Sequence, residues 1–144
     1  METAAGRMQV QLNVVDVRDP AQLTVALEKV ARLKADALLV VSDPMLGGQR
    51  RKIIEFALRH RLLSAFDGKE HVAEGGSLSY GSFRLERFHQ VAGYLDRILR
   101  GAKPADLPIA QPTKFELIIN LKTAQALGIT IPQSVLLRAD EVIQ

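Results

Sequence analysis

The 144 residues contain no cysteine and no tryptophan, and aromatic residues make up only 5%. Without cysteine there is no disulfide scaffold, no thiol nucleophile, no zinc finger and no iron–sulfur cluster. No apolar run approaches the ~18 residues of a membrane-spanning helix. The opening Met1-Glu2-Thr3-Ala4-Ala5-Gly6 lacks the basic start and apolar stretch of a signal peptide, so none is expected in this chain. Charge of one sign is also scarce. Nineteen basic residues face sixteen acidic ones, a net charge of +3, and the sequence pI is about 9.4. That mild excess does not demand a nucleic-acid partner. His60, His71 and His89 are scattered with no His-Glu-x-x-His spacing, and Glu86 with His89 lacks a third ligand, so no metal site is expected.

What is present is the composition of one globular domain: 47% hydrophobic and 24% charged residues. The run from Val10 to Val17 mixes alternation with a filled centre and reads as a strand. Asp19-Pro20 opens a helix whose Leu23, Ala26, Leu27, Val30 and Leu33 share one face. Ala37 to Val41 is continuously apolar, the pattern of a central parallel strand covered on both sides. A helix is expected from about Gly47 to His60 with Ile53, Ile54, Ala57 and Leu58 inward, then a strand over 64–66, a short helical turn, and a strand over 77–80. Alternating strands and helices predict an α/β fold: a parallel sheet with helices on both faces and right-handed crossovers. The strongest helical period runs from Arg84 to Arg100, with Leu85, Phe88, Ala92, Leu95 and Leu99 in one stripe widened by Val91 and Ile98, and Gly101 as its stop. Beyond it lie an extended connection over 103–111, a strand over 115–119, a short helix capped by Asn120 and ending at Gly128, and a final extended piece from Pro132. The whole is one domain, residues 1–144, with its βαβ core over about 10–101.

Ligands of open α/β sheets bind at the carboxyl ends of the strands. Ser42-Asp43-Pro44 and Ser79-Tyr80-Gly81-Ser82 occupy two such places. A carboxylate accepts from an ammonium group, hydroxyls and N–H groups hold a carboxylate, and a tyrosine offers an aromatic wall with a polar tip. Ser42, Asp43 and Ser82 are equally ordinary helix N-caps. Gly47-Gly48-Gln49-Arg50-Arg51-Lys52 lacks the spacing of a phosphate-binding P-loop. There is no Gly-x-Ser-x-Gly elbow and no paired-carboxylate arrangement, hence no catalytic constellation, no enzyme activity and no cofactor are expected.

Several stretches resemble the ABC transporter substrate-binding family that includes tryptophan-binding lipoproteins. They are Asp36 to Pro44, Gly75 to Gly81, Arg100 to Pro108, and above all Pro112-Thr113-Lys114-Phe115-Glu116-Leu117-Ile118-Ile119-Asn120-Leu121-Lys122-Thr123-Ala124 with Ala126-Leu127-Gly128 and Ile131-Pro132. The resemblance implies a two-lobed, type I periplasmic binding protein, exported or lipid-anchored outside the inner membrane. Such a protein closes on an amino acid or an aromatic or other organic acid and delivers it to an ABC permease. It places Ser42, Asp43, Tyr80 and Gly81 at the interlobe cleft; Ser82 joins these candidates from its strand-end position alone, since family members often have an Asn soon after the Tyr-Gly pair where Ser82-Phe83-Arg84 stands here. It also implies that the N-terminal lobe is absent here, together with the strand and helix that open the second lobe. A flavodoxin-like order would then leave the strand near Val10 separated from the strand near Leu38. An unpaired sheet edge of that kind predicts a homodimer or larger assembly. The alternative reading of the same fold is the effector-binding domain of a transcription regulator.

Overall fold

The computed structural model describes residues 2–144, without the side chains of Glu2, Arg84, Leu85 and Arg87. The expected place of Leu85 in the apolar stripe lies outside the described residues. A short helix α1 (Glu2–Arg7) precedes an irregular segment, and a 3-10 turn (Pro20–Gln22) leads into α2 (Leu23–Arg32). Asp19 caps this turn as expected, its carboxylate accepting from the Gln22 N–H at 3.0 Å. Then follow β1 (Ala37–Leu39), α3 (Pro44–Gly48), α4 (Arg50–Arg59), β2 (Leu63–Phe66), α5 (Lys69–Ala73) and β3 (Leu78–Ser82). The chain continues through α6 (Arg84–Leu99), β4 (Phe115–Asn120), α7 (Leu121–Ala126), α8 (Gln133–Leu136) and β5 (Glu141–Ile143).

The five strands form one sheet in the order β1-β2-β3-β4-β5. β1, β2 and β3 are parallel, β4 runs antiparallel to β3, and β5 is parallel to β4. The core sits where the sequence periodicity places it. Leu23 and Leu27 of α2 meet Ile53 and Ile54 of α4 over Phe66 of β2, and Val30, Ala57 and Leu62 extend the cluster. Burying such side chains stabilises the fold by roughly 1.5–3 kcal/mol each.

Four expectations are corrected. Residues 10–17 join no strand ladder. Val15 and Val17 pack inward while Val10, Leu12 and Val14 face out, so the period of two survives without a neighbour to pair with. β1 is an edge strand rather than a central one, and Leu39 is 53% exposed. The helix expected over 47–60 starts earlier and breaks at Gln49, where the backbone leaves the helical region, and Leu58 is exposed rather than inward. The tail after Pro132 turns through α8 before its strand.

α6 is the anomaly of the fold. Its stripe of Phe88, Val91, Leu95, Ile98 and Leu99 is exposed along its length. The helix is tethered instead near its start and in its middle: the Thr113 hydroxyl donates to Glu86 at 2.8 Å, and the Tyr94 hydroxyl to the Pro108 carbonyl.

Candidate functional site

Four residues past the end of β1, Asp43 caps the next helix. The Asp43 backbone is extended, Pro44 takes the first helical position, and the Asp43 Oδ1 accepts from the N–H groups of Met45 (2.8 Å) and Leu46 (3.1 Å). The N-cap reading of Asp43 is therefore correct. Both bonds go to one carboxylate oxygen, and Oδ2 takes part in neither.

The neighbouring strand β2 ends in Asp67-Gly68, followed by Glu70 and His71 in α5. His71 is buried, stacked on Phe66 with ring centroids 4.7 Å apart, and its Nδ1 lies 3.1 Å from the Gly68 carbonyl. A carbonyl only accepts, so Nδ1 carries the proton of this bond and fixes the ring orientation.

These two strand ends border a cavity of about 520 Å³, within the range of small-ligand sites. Ser42, Asp43, Asp67, Glu70 and His71 give its polar lining; Val40, Val41, Pro44 and Leu46 give its apolar floor, and Phe88 and Val91 of α6 form a wall. Among the described lining residues there are carboxylates and no lysine or arginine. Such a lining suits a ligand with an ammonium group and an apolar body.

The second predicted cluster lies elsewhere. Tyr80, Gly81 and Ser82 are on β3, and none of them is among the described lining residues. Tyr80 is 61% exposed and stacks on Phe115 of β4, centroids 5.6 Å apart. Ser82 pairs with Phe115 in the β3–β4 ladder, and the N-cap position of α6 is Phe83 rather than Ser82. Gly81 has a structural reason: a Cβ there would collide with the Asp67 carbonyl oxygen. That contact presses β3 against the residue that lines the cavity.

Sequence reasoning missed Asp67, Glu70, His71, Phe88 and Val91. Asp67 follows a strand just as Asp43 does, and the strand-end rule would have found it. Phe88 and Val91 were hidden by their helical period, which reads as core.

The sequence model of a family described as ABC transporter substrate binding protein matches residues 1–143. No curated protein matches the chain. Among solved structures, a conserved domain protein from Vibrio cholerae is 26% identical with a TM-score of 0.88, over 98% of this chain and 47% of its own. An ABC domain in complex with L-Trp from Streptococcus pneumonia is 26% identical with a TM-score of 0.90, over 98% of this chain and 49% of its own. A ligand-free, open substrate binding protein with adhesive properties from Clostridium difficile shares the fold at 16% identity and a TM-score of 0.66, over 99% of this chain and 48% of its own. The chain spans about half the length of each of these structures.

Proposed function

Because the chain belongs to the ABC transporter substrate binding protein family, we propose that it supplies one wall of a solute-binding cleft. The ligand is an amino acid or an aromatic or other small organic acid, and a membrane ABC permease receives it outside the inner membrane. The observation that carries this reading is the cavity where β1 and β2 end, with Ser42, Asp43 and Asp67 on one side and Phe88 and Val91 on the other. Its carboxylates favour an amino acid over a simple acid, and its apolar surface favours a hydrophobic or aromatic side chain. The L-Trp complex of the similar Streptococcus structure supports that class. Tyr80, Gly81 and Ser82 belong to the cleft in this reading only when a second lobe stands over the exposed side of β3.

An open wall supplies part of a ligand shell, so the affinity of this chain by itself is weak, with a Kd of about 1 mM, near −4 kcal/mol. The exposed stripe of α6 supports a homodimer or larger assembly in isolation. The test is titration with L-Trp, L-Leu and L-Glu, read by backbone amide chemical shifts. Shifts clustered at Ser42, Asp43, Asp67 and His71, larger for L-Trp and L-Leu than for L-Glu, are expected. Shifts scattered over the surface, or strongest with L-Glu, overturn the reading.

A further inference from the structure

The protein itself uses only half of a buried imidazole in the wall of the solute cavity. His71 is 7% exposed and lines the cavity from α5. Its Nδ1 donates to the Gly68 carbonyl, so the neutral ring carries a bare lone pair on Nε2. Among the described residues Nε2 has no hydrogen-bond partner, and it is not sealed away from open space either. We propose that His71 determines specificity: its Nε2 accepts a hydrogen bond from an N–H or O–H group on the ligand's side chain. This rests on the solute-site reading above. It narrows the ligand to an amino acid whose apolar side chain carries one such donor.

The ring is held still for that task. It stacks on Phe66 with an interplanar angle of 13°. Gly76 leaves room for the pair, since a Cβ there would stand 2.8 Å from both the Phe66 ring and the His71 carbonyl oxygen. The Gly76 N–H donates to that same carbonyl at 2.8 Å, and Asn120 Nδ2 donates to the next one, of Val72, at 3.0 Å. An acceptor fixed in this way engages its partner at little ordering cost.

Packing alone does not account for the residue. Phenylalanine would stack on Phe66 as well, without burying a nitrogen that costs free energy unless it is bonded. A metal site does not account for it either: among the described residues no three histidine or acidic side chains are grouped to hold an ion. The other polar groups of the cavity divide the ligand. Asp43 has an oxygen left over from its cap, and Asp67 lines the same space. Carboxylates outbid a neutral imidazole for an ammonium group. Nε2 is therefore left for a neutral donor further along the ligand, whose apolar body meets Phe88 and Val91. A pure hydrocarbon side chain would cover Nε2 and leave it unpaired, which is a ground for rejection.

The experiment titrates the whole chain with two pairs of amino acids that differ in one donor: L-Trp against 1-methyl-L-tryptophan, and L-Tyr against L-Phe. Amide shifts at Ser42, Asp43 and Asp67 report the site. Nitrogen shifts of the His71 ring report its tautomer and bonding, at about pH 8.5, above the ordinary histidine range. In the free chain Nε2 is expected without a proton. It should move with L-Trp and L-Tyr, while the donor-free partner of each binds roughly fivefold more weakly or worse. His71→Phe keeps the stack and should lower L-Trp to the affinity of 1-methyl-L-tryptophan. His71→Gln, whose amide group reaches nearly as far as Nε2, should restore part of the difference. Movement of Nε2 with one pair alone supports the proposal and names the donor. Equal affinities within both wild-type pairs, with shifts still at Ser42, Asp43 and Asp67, overturn the role of His71 and leave the solute site standing. A preference without movement of Nε2 reports bulk rather than bonding and overturns it, as does a free chain whose Nε2 carries the proton. No shifts at those three residues with any probe overturns the solute reading and this one with it.

Discussion

Ser64 and Ser77 exchange hydrogen bonds in the interior: each hydroxyl oxygen accepts from the other residue's backbone N–H at 3.1 Å. Both residues are buried, and the pair joins β2 to the entry of β3 just before the ladder at Ala65 and Leu78 begins. Each hydroxyl thus satisfies a main-chain donor that water cannot reach.

Ser77→Ala leaves the Ser64 N–H buried without that partner. A loss of about 1–3 kcal/mol is expected, read as a lower urea midpoint at unchanged slope. Ser64→Ala should lose a similar amount, and the double variant less than the sum, because the two bonds form one unit.

Gly81→Ala tests the contact that sets β3 beside the cavity. The added carbon meets the Asp67 carbonyl oxygen, which is backbone and has no rotamer to move. Destabilisation of about 1–3 kcal/mol or more is expected, with amide shifts at Asp67 and Glu70. Gly47→Ala is the control, since a Cβ there meets nothing within 4 Å.

The acid range offers a third test. The Glu74 carboxylate accepts from Arg50 at 2.7 Å and lies 2.6 Å from its guanidinium, tying α4 to the end of α5. The hydrogen bond from Arg50, with its charge, holds the Glu74 carboxyl below its ordinary value of 4.5, against partial desolvation. The Arg50 guanidinium is raised in turn and stays charged. A depressed folded value gives a contribution that is complete above 4.5 and fades as pH falls through the folded value. Melting temperature should therefore fall more steeply below pH 4.5 in the wild type than in Glu74→Gln, with the two curves converging in acid. Parallel curves would remove this pair from the acid response.

How far the sequence reaches is visible in three places. The buried faces of α2 and α4 are legible because Leu23, Leu27, Ile53 and Ile54 recur at helical spacing, and a helix of that length has one way to bury them. Asp43 was legible as a helix cap, which it is, and it also borders the cavity. The antiparallel β4 was not legible, because an apolar run such as Leu117 to Ile119 states that a strand is buried and not which way it runs. Nor was the fate of residues 10–17. Alternation specifies a face, while pairing depends on a neighbour that lies elsewhere in the chain or outside it. The stripe on α6 failed for the same reason: period shows that an apolar face exists and says nothing of what covers it.

That stripe gives the last prediction. Leu95 is 55% and Leu99 78% exposed, and they lie with Phe88, Val91 and Ile98 on one side of a 16-residue helix. An apolar strip of this length in water favours association, since each leucine it buries contributes roughly 1.5–3 kcal/mol. Leu95→Lys and Leu99→Lys place a charge on the strip without touching the cavity, whose α6 wall is Phe88 and Val91. The strip packs against none of the buried core clusters, so the urea midpoint of the monomer should move little. Self-association should weaken instead, with a midpoint concentration at least tenfold higher for either variant in sedimentation equilibrium, a change of about 1.4 kcal/mol. A wild-type chain that sediments as a 15.9 kDa monomer at every concentration up to the millimolar range would show that the strip is tolerated bare. In that case the expected assembly is wrong.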